Sequence, residues 1–148
     1  MIPKNILVPT DFSACAEHAV DYACALAAKV GATVFLVTAL GPSPSEVKVA
    51  LTDSMLHSLT RAHQEALDKL AGSRRSVASF GTPFVKTGDP RDAILVAARE
   101  TDADLIVMGT HGRRGIAHLV MGSVAEDIVR NAPCPVLTVR SKRRGDPA

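Results

Sequence analysis

Five short apolar runs alternate with helix-forming stretches along this chain, and that alternation restricts the fold more than any other feature. The runs are Ile6-Leu7-Val8, Thr33 to Thr38, Val77 to Val85, Leu105 to Met108 and Val136 to Val139. Near-continuous apolar character without polar alternation marks strands buried on both faces, as in a parallel sheet covered by helices. The third run is the weakest signal. Gly81 and Pro83 interrupt it, which argues for an edge strand or a bulge.

The stretches between carry helix punctuation. Ser13 is a cap ahead of Ala16, Ala19, Val20, Ala23, Leu26, Ala27 and Val30, which trace one helical face, and Gly31 supplies the stop. A long helix is expected from about Ser45 to Leu70, ended by Gly72-Ser73-Arg74-Arg75. Gly88-Asp89-Pro90-Arg91-Asp92 opens a third, with a capping Asp and Pro at the first helical position. Met121, Val124, Ala125, Ile128 and Val129 mark a fourth, closed by Pro133-Cys134-Pro135. The expectation is an α/β domain over residues 1–140: an open five-stranded parallel sheet, order 3-2-1-4-5, with helices on both faces. Residues 141–148 read as a basic, flexible tail.

Composition narrows the function classes. With 148 residues and 47% hydrophobic content, a single domain with a sizeable core is expected. Aromatics are 3%, with no Trp and one Tyr, Tyr22, so platforms for stacking single-stranded nucleic acid have almost no raw material. Four of the 17 basic residues and one of the 15 acidic ones lie in the last nine positions. The body is therefore close to neutral and offers no nucleic-acid surface. No run is long enough to span a membrane, and the N-terminus reads straight into a strand rather than a signal peptide. Cys15, Cys24 and Cys134 have neither metal nor redox spacing and read as small buried hydrophobes in a cytoplasmic protein.

The chemistry concentrates in Gly109-Thr110-His111-Gly112 and, nine residues on, Gly122-Ser123. The segment lies between a strand and a helix. There glycines let backbone N–H groups approach an anion, and a helix opening at Gly122-Ser123 would add its unpaired donors and dipole. In open α/β sheets ligands bind beyond the strand carboxyl ends, where strand order reverses. With strands one and four adjacent, Pro9-Thr10-Asp11 would face the glycine segment across that crevice, flanked by Ala39 and Gly88. Asp11 fits a ligand role and a capping role about equally. His111 reads as a structural hydrogen-bonder, and Arg113 and Arg114 are second-rank phosphate partners.

The G-x2-G-x9-G-S pattern, with Pro9-Thr10-Asp11-Phe12-Ser13 near the start, resembles the universal stress protein family over essentially the whole chain. The resemblance implies an adenine nucleotide alpha hydrolase-like fold and, the glycine motif being complete, the ATP-binding branch. It implies that Gly109, Gly112, Gly122 and Ser123 contact the triphosphate. Asp11 would sit near the ribose and a phosphate-bound Mg²⁺, and Ala39 would border the adenine. It also implies a homodimer through the fifth strand, Val136 to Val139, whose apolar edge suits pairing.

Catalytic signatures are sparse. The Walker P-loop, the G-x-G-x-x-G fingerprint and the G-x-S-x-G elbow do not occur in the sequence. Glu126 and Asp127 fall about a turn into the last helix and read as solvated-face residues, so at most slow ATP hydrolysis is expected. A regulatory, stress-responsive ATP binder is the leading reading. A dimeric interaction module without nucleotide is the alternative.

Overall fold

The structure, a computed structural model, describes residues 1–41, 52–111 and 121–140. Strands β1 (Asn5–Pro9), β2 (Thr33–Leu40), β3 (Ser79–Phe80), β4 (Phe84–Thr87), β5 (Leu105–Gly109) and β6 (Val136–Val139) form one parallel sheet. Its order is β3-β2-β1-β5-β6, with β4 also paired to β2. This is the expected order with one correction, six strands in place of five. The third run splits into β3, beside the start of β2, and β4, beside its end. Pro83 has no N–H to give to a ladder. Gly81 keeps a single bond, its N–H donating to the Val34 carbonyl at 2.9 Å. The Phe35 ring lies so close over Gly81 that a Cβ there would collide with it.

Among the described residues four helices cover the sheet: α1 (Ala14–Val30), α2 (Asp53–Gly72), α3 (Pro90–Glu100) and α4 (Ser123–Asn131). Alternation along the strands sends Ile6, Val8, Val34, Leu36 and Val107 against α1 and α2, where Ala19, Val20, Ala23, Leu67 and Leu70 meet them. Leu7, Val37, Ile106 and Met108 face the other way, onto Ile94 and Ala97 of α3 and Ala125 and Ile128 of α4. The many alanines of α1 let that helix lie close to the sheet.

Local punctuation works as expected at α1 and α3. Ser13 Oγ accepts from the Ala16 N–H at 3.2 Å, and Gly31 adopts a left-handed φ of 75° at the C-terminus. Asp89 Oδ1 accepts from the Arg91 N–H at 2.8 Å ahead of Pro90. The long second helix needs correction. Thr52 is extended and caps α2 through its Oγ1, so the helix begins at Asp53 rather than near Ser45. Residues 42–51 and the expected tail at 141–148 lie outside the described residues.

None of Cys15, Cys24 and Cys134 is joined in a disulfide. Cys15 and Cys24 sit on opposite sides of α1, yet both are buried. Burial pushes the Cys24 thiol up to about 11, against the opposing pull of the Arg74 guanidinium. Among the described residues no helix is long and apolar enough to cross a membrane.

Candidate functional site

The carboxyl ends of β1, β2 and β5 open into one cleft of about 570 Å³. After β1 the chain enters α1 on one face of the sheet, and after β5 it enters α4 on the other, so the crevice falls where the strand order reverses. Of the residues expected from sequence, Pro9, Thr10, Asp11, Ala39, Gly109, His111, Gly122 and Ser123 all line it. Gly112, Arg113 and Arg114 lie outside the described residues.

Gly88 does not line the cleft. It stands behind the end of β2, with φ at +113°, and its N–H donates to the Leu40 carbonyl at 3.0 Å. A Cβ on the neighbouring Gly41 would come within 2.9 Å of the Gly88 carbonyl oxygen, so the two backbones meet with no room for a side chain. Gly41, rather than Gly88, reaches the cleft.

The β1–α1 loop is tightly fixed. Thr10 donates its N–H to Val37 at 2.9 Å, and its Oγ1 accepts from the Phe12 N–H at 3.0 Å. Asp11 Oδ1 accepts from the Ser13 N–H at 3.0 Å, so its carboxylate both caps the loop and borders the cleft. These bonds hold Phe12 at φ 64°, a region that bulky side chains rarely enter and that costs on the order of 1–3 kcal/mol.

On the far side the glycines of the expected cradle have separate tasks. Gly109 lies against α1: a Cβ there would be 2.8 Å from Cys15 Sγ and 3.2 Å from the Cys15 carbonyl group. Gly122 is the N-cap of α4, and its own N–H is committed to the Thr110 carbonyl at 2.6 Å. Its N–H therefore faces the protein's own backbone, while the residue itself still borders the cleft. The first bond inside the helix runs from the Glu126 N–H to the Gly122 carbonyl, so the N–H groups of Ser123, Val124 and Ala125 have no acceptor within α4.

The other three helices are capped by the side chains of Ser13, Thr52 and Asp89, whereas Gly122 has none to offer. Three donors and the positive end of the helix dipole therefore border the cleft. His111 closes this wall, its Nδ1 3.0 Å from Thr110 Oγ1. Glu126 pairs with Arg130 at 2.9 Å and Asp127 accepts from Asn131, which occupies both carboxylates on the exposed side of α4.

The remaining lining divides by character. Val37, Ala39, Pro90, Ile94 and Met108 make an apolar wall, able to take a flat ring. Opposite stand Asp11, Phe12, Thr38 and His63, the last from α2. Sequence reasoning missed His63. It lies in the middle of a long helix far from any motif, and only the packing of α2 against the β1–α1 loop brings it to the cleft.

Fold and cleft together define a doubly wound α/β protein with a crevice at the β1/β5 switch point, where such folds hold ligands. The chain belongs to the universal stress protein family, whose model matches residues 3–140. It is 34% identical over 149 residues to universal stress protein MJ0531 of Methanocaldococcus jannaschii, covering 95% of this chain and 84% of that protein. A universal stress protein of Thermus aquaticus is 36% identical over 141 residues, covering 93% and 98%. Among solved structures, hypothetical protein MJ0577 superposes with a TM-score of 0.85 at 27% identity, covering 97% of this chain and all of that one. A universal stress protein in complex with cAMP has a TM-score of 0.65 at 27% identity, covering 96% and 100%. One from Archaeoglobus fulgidus in complex with dAMP has a TM-score of 0.65 at 25% identity, covering 94% and 99%.

Proposed function

We propose that this protein binds an adenine nucleotide, ATP with Mg²⁺, and acts as a nucleotide-responsive regulator rather than as an enzyme that consumes ATP. The observation that carries this reading is the uncapped N-terminus of α4, bordering the same cleft as Asp11 and an apolar wall. The phosphates would lie on the donors of Ser123, Val124 and Ala125, with the adenine against Ala39, Pro90, Ile94 and Met108. Structures of relatives with cAMP and dAMP support an adenine ligand. Three charge-assisted bonds contribute roughly 4.5–9 kcal/mol gross, and micromolar affinity requires about 8, so ring burial has to supply the balance.

Mg²⁺ fits this donor set. The ion favours one or two carboxylates together with phosphate oxygens and water, and Asp11 is the carboxylate at the cleft. Among the described residues no cluster of three or more His, Cys, Asp or Glu forms an all-protein cage. ATP with Mg²⁺ is expected to raise the melting temperature, by about 5–10 °C at a hundredfold excess over Kd. A melting curve unchanged by millimolar ATP overturns the proposal.

We also propose a two-fold homodimer through β6. Among the described residues this strand pairs only with β5, so its outer edge is open, and Val136, Leu137 and Val139 are half-buried beside it. The combined Val136→Lys and Val139→Lys changes should halve the mass seen by light scattering. A dimer that survives both places the interface elsewhere.

A further inference from the structure

His63 comes to the cleft from α2 with its ring fixed at two points. Its Nδ1 is 2.9 Å from the Leu59 carbonyl oxygen, one turn back along the helix. A carbonyl oxygen only accepts, so Nδ1 carries the hydrogen, and Nε2 is the nitrogen left bare in the neutral ring. The Phe12 ring braces the imidazole from the other side, with centroids 5.9 Å apart and planes tilted by 60°. Phe12 is in turn locked in its left-handed conformation by Thr10. Such a brace holds the imidazole at the cleft in a defined tautomer, with Nε2 the atom left to meet a ligand.

We propose that His63 is a ligand-contacting residue of this cleft, and that a bound nucleotide draws a proton onto Nε2 so that binding and proton uptake are coupled. The proposal rests on the nucleotide reading of the site. A nucleotide brings its phosphate charge into a recess of about 570 Å³, and an opposite charge nearby favours imidazolium over imidazole. The complex then holds the proton more firmly than the free protein does. Affinity is greatest in mildly acid solution, and the advantage disappears as pH rises through the range in which the complex gives the proton up.

The charged surroundings agree with this direction. Asp11 precedes the Phe12 that braces the ring; a Mg²⁺ held there would offset its charge, so it is the net negative charge of the nucleotide with its Mg²⁺ that draws the proton, and His111 is the other histidine lining the cleft. Along α2, Arg61 pairs with Glu65 and Asp68 accepts from Gln64, and just beyond its end Arg74 pairs with Glu17 and Asp21 of α1. Strand β2 has no titratable side chain, and Lys86 of β4 is held by Glu100.

The test is titration calorimetry of ATP with Mg²⁺ from about pH 6 to 8, in buffers of differing ionisation enthalpy. The wild type, His63→Gln and His57→Gln are compared; His57 is on the exposed side of the same helix. Protonation of ATP itself is common to all three, so the readout is the difference between them. The wild type and His57→Gln should take up a fraction of a proton more than His63→Gln and bind several-fold tighter at the acid end. The His63→Gln profile should lack that protein-dependent slope. A wild-type slope retained in His63→Gln overturns the proposal and transfers the proton to His111. Absence of ATP binding by the wild type at every pH overturns the nucleotide reading itself.

Discussion

Asp at position 122 is expected to abolish the nucleotide-dependent rise in melting temperature while the free protein stays folded. The N-cap site favours Asp as strongly as any residue, since its carboxylate accepts from the first-turn N–H groups. Those are the Ser123, Val124 and Ala125 donors that α4 leaves without an internal partner. The introduced carboxylate would take up the donors and place a negative charge where the phosphates are to lie. Losing two charge-assisted bonds at roughly 1.5–3 kcal/mol each corresponds to about a 100-fold loss of affinity or more. Gly122→Ala is the control, because a Cβ there would come within 3.1 Å of the Thr110 carbonyl oxygen. Alanine therefore reports the cost of crowding and aspartate adds the effect of the charge. Nucleotide stabilisation of Gly122→Asp equal to that of Gly122→Ala would show that α4 does not hold the phosphates.

The second large effect is on stability. Gly109→Ala should destabilise the protein by about 1–3 kcal/mol in urea denaturation, with the slope of the transition unchanged. The added methyl would meet Cys15 Sγ at 2.8 Å and the Cys15 backbone at 3.2 Å. Sulfur can be removed, but the α1 backbone cannot be moved without disturbing its seat on the sheet. Cys15→Ala in the same chain should therefore restore part of the loss and not all of it. Wild-type stability in Gly109→Ala would mean that this glycine serves the ligand rather than the packing of α1.

These two glycines mark how far the sequence could be read. The α/β architecture, the strand order and the caps at Ser13 and Asp89 were legible because each rests on local signals: apolar period, a capping side chain, a helix-stopping glycine. The cleft was legible for a topological reason, since the order 3-2-1-4-5 brings Asp11 and Gly122 together whatever the details. What each glycine does there was not. Gly109, Gly122 and Gly88 look alike in sequence, yet one clears space for α1, one leaves a helix uncapped and one takes a positive φ behind Gly41. Those distinctions depend on which backbone passes overhead. His63 was hidden for the same reason, and the split of the third strand was signalled by Gly81 and Pro83 without its extent being readable.

Strand β1 has a consequence for how the chain reaches this state. It supplies Ile6, Leu7 and Val8, all fully buried, and needs neighbours on both edges. The first neighbour, β2, follows soon after, but the second is β5, which pairs Ile6 with Leu105 and Leu7 with Ile106. About a hundred residues separate the paired positions of β1 and β5, so the nascent chain holds an open apolar edge on β1 until β5 has been made. A nucleotide held as proposed, by both loops, would recognise the chain only after β1 and β5 have paired. Its binding would then act as an inspection of that step and give no help to the intermediates that precede it.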